Sequence, residues 1–209
     1  MNPYYPVFLN LSGRQCIIAG GGQVALRKVQ TLLQYNAAVT VISPRLCQGL
    51  RELEQAGKIQ VRHRPYQQGD LAGAFIAIIA TGNRGVNRQA SQEARRTRVP
   101  VNVVDDASLS DFIVPSIVRR GSVSIAVSTA GKSPALARKI RTTLEGQLDD
   151  QYAELALIIE GVRREVKRLK LKISSKHWQD AIDLEQMLRM IKQGNSDKAR
   201  AVLLERLAK

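Results

Sequence analysis

Three consecutive glycines, Gly20-Gly21-Gly22, stand where a short apolar run ends and a helical repeat begins. Residues 14 to 19 (RQCIIA) read as a strand, and Val24, Ala25, Val29, Leu32 and Leu33 recur at helical spacing up to about Tyr35. A strand that passes through a glycine turn straight into a helix restricts the chain to folds in which helices cover a sheet. Within that turn, Gly20, Gly22 and Ala25 satisfy the pattern GxGxxA. In such a pattern the first glycine permits the tight turn, the second lets backbone approach a pyrophosphate, and the small third residue lets helix and strand pack. Free amides at the helix start, with the favourable end of the helix dipole behind them, then face the phosphates. Gly20, Gly22, Gln23 and Val24 are therefore the expected seat of a dinucleotide, and a purely structural glycine turn is the alternative.

Further along, residues 38 to 43 (AVTVIS) read as a second buried strand, followed by a helix around 46 to 56, a strand at 58 to 62 and the apolar run 75 to 81 (FIAIIAT). A helix from about Arg84 to Arg96 leads into residues 99 to 104 (VPVNVV). Strands that are apolar on both faces and alternate with helices indicate a parallel sheet covered by helices. Past Asp111 the pattern changes to two β-rich segments separated by Gly121, an antiparallel pair. Ser133-Pro134 then opens a helix as N-cap and first-turn proline. The stripe Leu155, Ile158, Ile159, Val162, Val166 and Leu169 and two further stretches, near 178 to 191 and 197 to 207, are helical. The expected fold is α/β: a Rossmann-like parallel sheet over 1–113, a middle α+β segment over 114–147 and a small helical domain over 148–209.

The carboxyl ends of parallel strands border the ligand crevice, so the residues there are the ones to weigh. The second strand ends in Ser43-Pro44-Arg45, where an NAD site often has an acid for the ribose hydroxyls. Arg45 is either a receiver for a 2′-phosphate, which leaves NADP open, or a solvated loop cation. Thr81 and Asn102, at the ends of two later strands, join Ser43, Pro44 and Arg45 as cofactor candidates; Asn102 alternatively satisfies backbone groups. Asp105 is placed to receive a proton during oxidation of a substrate, and a turn-capping role for Asp105 or Asp106 is equally compatible with position. Arg27 and Lys28 sit in the first turns of the helix, where cations are mildly unfavourable and an anionic neighbour would compensate.

A formal charge of +14 calls for anionic partners, and nucleic acid, membrane surface and polyanionic small molecules all qualify. The excess is spread along the chain, 13 basic against 7 acidic residues over 1–113 and 19 against 11 over 114–209, so no basic tail stands out. No apolar run is long enough to span a bilayer, and the first thirty residues do not read as a signal sequence, so a cytoplasmic protein without membrane attachment is expected. Cys16 and Cys47 read as small buried hydrophobes, and His63 and His177 lack companions at ligand spacing, so no protein metal site is expected. Trp178 reads as core or dimer packing.

The run from Gly20 to Lys28 (GGGQVALRK), Val104-Asp105, residues 112 to 116 (FIVPS) and residues 128 to 134 (STAGKSP) occur in an order that resembles the precorrin-2 dehydrogenase family. The resemblance covers about residues 3 to 145, and the C-terminal helices only in general character. It matches the dehydrogenase and ferrochelatase portion of siroheme synthase, and a chain running to Lys209 is not expected to contain the additional methyltransferase domain. The resemblance implies oxidation of precorrin-2 to sirohydrochlorin with NAD as hydride acceptor, in a homodimer made largely by the middle segment, with ferrochelatase activity in some members. It favours NAD over NADP and Asp105 as the catalytic residue, leaving Asp106 to cap. It also implies a polycarboxylated tetrapyrrole, for which Arg119, Arg120, Ser128, Lys132, Ser133 and Arg138 are the binding candidates, with Arg141 nearby; each cation taken singly is more at home on a solvated surface, and the case for substrate contact is made by the group.

Two other classes compete. The cations Arg163, Arg164, Lys167, Arg168, Lys170 and Lys172 suit a redox-sensing DNA-binding regulator, although Glu160 and Glu165 interrupt them and no recognition-helix pattern is evident, so nucleic acid is not the expected partner. A nucleotide-sensing module without catalysis would bind NAD and turn over no tetrapyrrole.

Overall fold

A computed structural model describes residues 4–208. Pro3, where the resemblance begins, and the outermost residues of the first and last expected domains lie outside them. The described chain forms two compact units divided between Val114 and Pro115.

In the first unit, strands β1 (Gln15–Ala19), β2 (Ala38–Ile42), β3 (Gln60–Arg62), β4 (Ile76–Ile79) and β5 (Val101–Val103) form one sheet in the order β3-β2-β1-β4-β5. All its pairings are parallel. The connecting helices are α1 (Gln23–Gln34), α2 (Gln48–Gln55) and α3 (Arg84–Thr97). The two-residue period of a strand explains the layering. Cys16 and Ile18 of β1 enter a core with Ala25, Val29, Leu32 and Leu50 of α1 and α2, whereas Ile17 and Ala19 enter another with Ala90 and Ala94 of α3. Burying side chains such as Ile17, Ile18 and Leu50 contributes roughly 1.5–3 kcal/mol each. Because β2 and β3 build to one side of β1 and β4 and β5 to the other, the strand order reverses at β1, and the turns after β1 and β4 flank that point.

The second unit opens with a hairpin of β6 (Ser116–Arg120) and β7 (Val123–Val127), antiparallel from Ser116 opposite Val127 to Arg120 opposite Val123. Pro115 lacks an amide donor, and the strand starts only after it, later than the β-rich stretch beginning at Phe112 suggests. Helices α4 (Pro134–Gln147), α5 (Gln151–Arg168), α6 (Ser175–Ala181), α7 (Leu184–Lys192) and α8 (Ser196–Ala208) follow. Leu155, Val162 and Val166 of α5 pack with Met187, Ile191 and Leu203 of α7 and α8. The apolar stretch near 178 to 191, which reads as one helix, is two. Ile182 is extended, and the Asp183 carboxylate accepts the Gln186 amide to start α7 afresh.

Candidate functional site

The three glycines of the turn have three different surroundings. Gly20 has φ +130°, and a side chain there would place Cβ 2.3 Å from the Ala80 carbonyl oxygen after β4. At Gly21 a Cβ would lie 1.9 Å from the Arg45 carbonyl oxygen and 2.5 Å from Ser43 Oγ. The Gly21 carbonyl in turn accepts the Cys47 amide at 2.7 Å. The first two glycines are thus required by the chain's own backbone. Gly22 is exposed, has ordinary extended geometry (φ −89°, ψ −173°), and has nothing within 4 Å of a Cβ. No side chain caps α1 there, and its first turn contains no acid. Gln23 is exposed, Val24 half-buried and Ala25 fully buried against the sheet. The result is an unscreened helix start beside backbone that nothing in the protein crowds, a shape and polarity suited to a pyrophosphate.

The remaining cofactor candidates divide by how their polar atoms are occupied. Ser43 is buried, and its hydroxyl donates to the Arg45 carbonyl at 2.7 Å, which closes the loop onto Gly21. Pro44 and Arg45 are exposed. Thr81 Oγ1 donates to Asn87 Oδ1 at 2.6 Å and accepts the Asn83 amide, organising the start of α3. Asn102 Nδ2 donates to the Phe112 carbonyl at 2.9 Å, so in this structure its side chain satisfies backbone.

Asp105 follows β5 in the left-handed region at φ +61°, a conformation in which a non-glycine residue stores strain and which recurs at functional positions. Its side chain is exposed. The neighbouring Asp106 caps the 3₁₀ turn Ala107–Leu109, accepting the Ser108 and Leu109 amides and the Ser108 hydroxyl, and these bonds hold its carboxyl below the usual range. Asp106 is thus spent on the turn, whereas the Asp105 carboxylate makes no hydrogen bond among the described residues. Lys28 of α1 lies close enough to Asp105 to feel its charge. Partial burial, and then repulsion from Arg27, hold the Lys28 ammonium below the usual lysine range, and Asp105 opposes both. The chain's own Asp105 is thus an anion that acts on Lys28.

In the second unit, Ser128 Oγ accepts the Ala130 amide, and Ala130 (φ +52°) and Gly131 (φ +81°) both turn left-handed. Thr129 Oγ1 and Ser133 exchange two bonds at 3.0 Å, and Ser133 Oγ caps α4 by accepting the Leu136 amide at 3.2 Å. Lys132 and Arg138 are exposed on this loop and helix. Arg119 donates to the Gly121 carbonyl, and Arg120 donates to the Arg119 and Glu145 carbonyls and faces Asp150 at 3.6 Å, so both are tied into the hairpin. Arg141 pairs with Glu145 at 2.5 Å. Among the described residues no cluster of three or more His, Cys, Asp or Glu side chains could hold a metal ion, and no helix is long and apolar enough to cross a membrane.

A family model described as "Putative NAD(P)-binding" matches residues 7–116, more than half of the chain, and one described as "Sirohaem biosynthesis protein central" matches residues 120–147. The chain belongs to the NAD(P)-binding family, and the cofactor class its first unit serves is a nicotinamide dinucleotide. The resemblance carried by the four motifs is borne out more particularly. The siroheme synthase of Nitrosospira multiformis is 44% identical over 168 residues, which are 78% of this chain and 36% of that protein. The siroheme synthase of Methylococcus capsulatus is 38% identical over 204 residues, 97% of this chain and 43% of that protein. The chain thus spans less than half the length of these relatives. A solved structure named SirC, precorrin-2 dehydrogenase, matches 99% of this chain and 100% of its own with a TM-score of 0.69 at 26% identity.

Proposed function

We propose that this chain oxidises precorrin-2 to sirohydrochlorin with NAD, as a cytoplasmic homodimer. The observation that carries the reading is the likeness to a precorrin-2 dehydrogenase structure over both units and nearly the whole chain. The oxidation removes a hydride and a proton from the macrocycle, and the bound nicotinamide supplies the hydride acceptor. Gly22 and the amides of Gln23 and Val24 seat the pyrophosphate, with Ser43, Pro44, Arg45, Thr81 and Asn102 shaping the surround. Arg45 is exposed and free to lie along the ribose edge, and the family resemblance favours NAD over NADP. Asp105, exposed and without a hydrogen-bonded duty in the turn, receives the proton at its carboxylate. Lys132 and Arg138, with the Ser128 to Ser133 loop and Arg119 and Arg120, serve the substrate carboxylates. Leu136 and Ile140, one turn apart on α4 and 51% and 38% exposed, are apolar surface suited to a dimer interface in the middle segment.

Asp105→Asn is the informative variant, because asparagine tolerates the left-handed conformation that alanine does not favour. It should fold and bind NAD yet lose roughly 100-fold or more of precorrin-2 oxidation, followed anaerobically by absorbance. Near-normal turnover would remove Asp105 from the mechanism. The same preparation given sirohydrochlorin and ferrous ion tests for iron insertion, and parallel titrations with NAD and NADP rank the cofactors.

A further inference from the structure

We infer that the second unit carries a binding groove for a planar polycarboxylated macrocycle, where the end of α5 meets α6, on residues that the catalytic reading does not use. The groove is shallow and open to solvent, with a volume of about 410 Å³. Part of its lining is apolar and aromatic: Leu171, Ile173 and Trp178. From α5 come the cations Arg163, Arg164 and Lys167 and one acid, Glu160.

The apolar lining is held in place by backbone. At the end of α5 the Leu169 amide donates to the Glu165 carbonyl, and Lys170 (φ +54°) turns the chain left-handed. The Leu171 amide then returns to the Val166 carbonyl at 3.1 Å. These bonds set Leu171, which is 44% exposed, beside the helix it has just left. Arg163 stands over the Trp178 ring at 5.8 Å, so the aromatic and cationic parts of the lining are already joined by a cation–π contact.

The cations of this helix are not equivalent. Glu165 pairs with Arg168 at 3.6 Å and with Arg200 at 2.5 Å. The side chains of Arg164 and Lys167 enter no ion pair or hydrogen bond among the described residues, and both residues are exposed. Three cations, Arg163, Arg164 and Lys167, line the groove against the one acid Glu160, so it keeps a positive excess. A wholly apolar ligand leaves that charge unused, and a hydrated inorganic anion leaves the Trp178 ring unused. The ligand that uses both is flat, apolar in its body and carboxylated at its edge. A tetrapyrrole of the kind in the proposed reaction has that chemistry, and in this one respect the inference rests on that reading.

The test is equilibrium binding of uroporphyrin, a stable planar polycarboxylated porphyrin, to the full chain and three variants, with precorrin-2 oxidation measured alongside. Arg164→Gln with Lys167→Gln should weaken one class of bound porphyrin by roughly tenfold or more. Glu160→Gln should tighten the same class, a direction that a merely structural role for these residues does not produce. Trp178→Leu should weaken the same class when binding is followed by porphyrin absorbance, because the indole supplies the aromatic part of the lining. Unchanged porphyrin affinity and stoichiometry across the charge variants overturns the groove, whatever the turnover. Binding that responds as stated in a chain that does not oxidise precorrin-2 leaves the groove standing and overturns the proposed reaction instead.

Discussion

Two helices start at the same edge of the same sheet, and they treat their first turns in opposite ways. At the start of α3, Asn83 accepts the Gly85 and Val86 amides, and Thr81 braces Asn83 from the strand side. Capping of this kind is worth about 1 kcal/mol. At the start of α1 the N-cap is Gly22, no side chain reaches the first-turn amides, and no acid opposes the dipole. Both helices flank the point where strand order reverses, so local stability alone would favour a cap at each. The stability forgone at α1 leaves donors for a ligand, whereas α3 has closed the same chemistry with its own side chains.

The largest effect expected from disturbing this arrangement is at Gly21. Gly21→Ala drives a methyl into the Arg45 carbonyl and Ser43 Oγ and forces the loop after β2 off the turn. It should cost about 3 kcal/mol or more in chemical denaturation, as overpacking against backbone does. A near-neutral result would mean that the loop is free to move, and that the turn is not held by the 43 to 47 segment. Gly22→Asp should act in the reverse sense. The extended backbone there suits a capping aspartate, so stability should hold or rise by a few tenths of a kcal/mol. Nucleotide affinity, read by calorimetry, should fall roughly 100-fold because a carboxylate takes the place of the phosphate. Undiminished affinity would break the contrast between the two helix starts, making α1 merely uncapped.

The parallel sheet was legible because its strands are apolar on both faces and its helices repeat at 3.6. The turn was legible because Gly20, Gly22 and Ala25 keep a fixed spacing. What spacing does not reveal is which neighbour makes a glycine necessary: Gly21, the variable position of the pattern, is the most crowded of the three, by a loop that follows a different strand. Long-range polar duties are hidden for the same reason. Glu93 sits in a helix whose composition is strongly polar, yet it is 2% exposed and accepts the Tyr66 hydroxyl and the Gly69 and Leu71 amides. Asp70 is likewise buried, held by Arg62 and Arg64. Asp105 was a candidate from its place after a strand and from the family motif. Its conformation, and the proximity of Lys28 from another element, required the fold.

Lys28 offers the smallest and most specific effect, because it links the open helix start to the proposed catalytic carboxylate. Its ammonium is partly buried and faces Arg27, so its proton is bound less tightly in the folded chain than in the unfolded one, despite the opposing charge of Asp105. At neutral pH both states carry the proton, and the cost of burying that charge is fully present. As pH rises through the lowered folded value toward the ordinary lysine value of 10.5, the unfolded chain binds more protons than the folded chain, and stability attributable to this group rises. Lys28→Met removes the group, so its stability relative to the parent should be most favourable near neutrality and should decline as the buffer is taken into that alkaline window. Denaturation curves for the two proteins at matched pH values measure the difference directly. A stability difference independent of pH would mean that Lys28 is solvated in both states, and that Asp105 has no cation within α1 tuned by burial beside it.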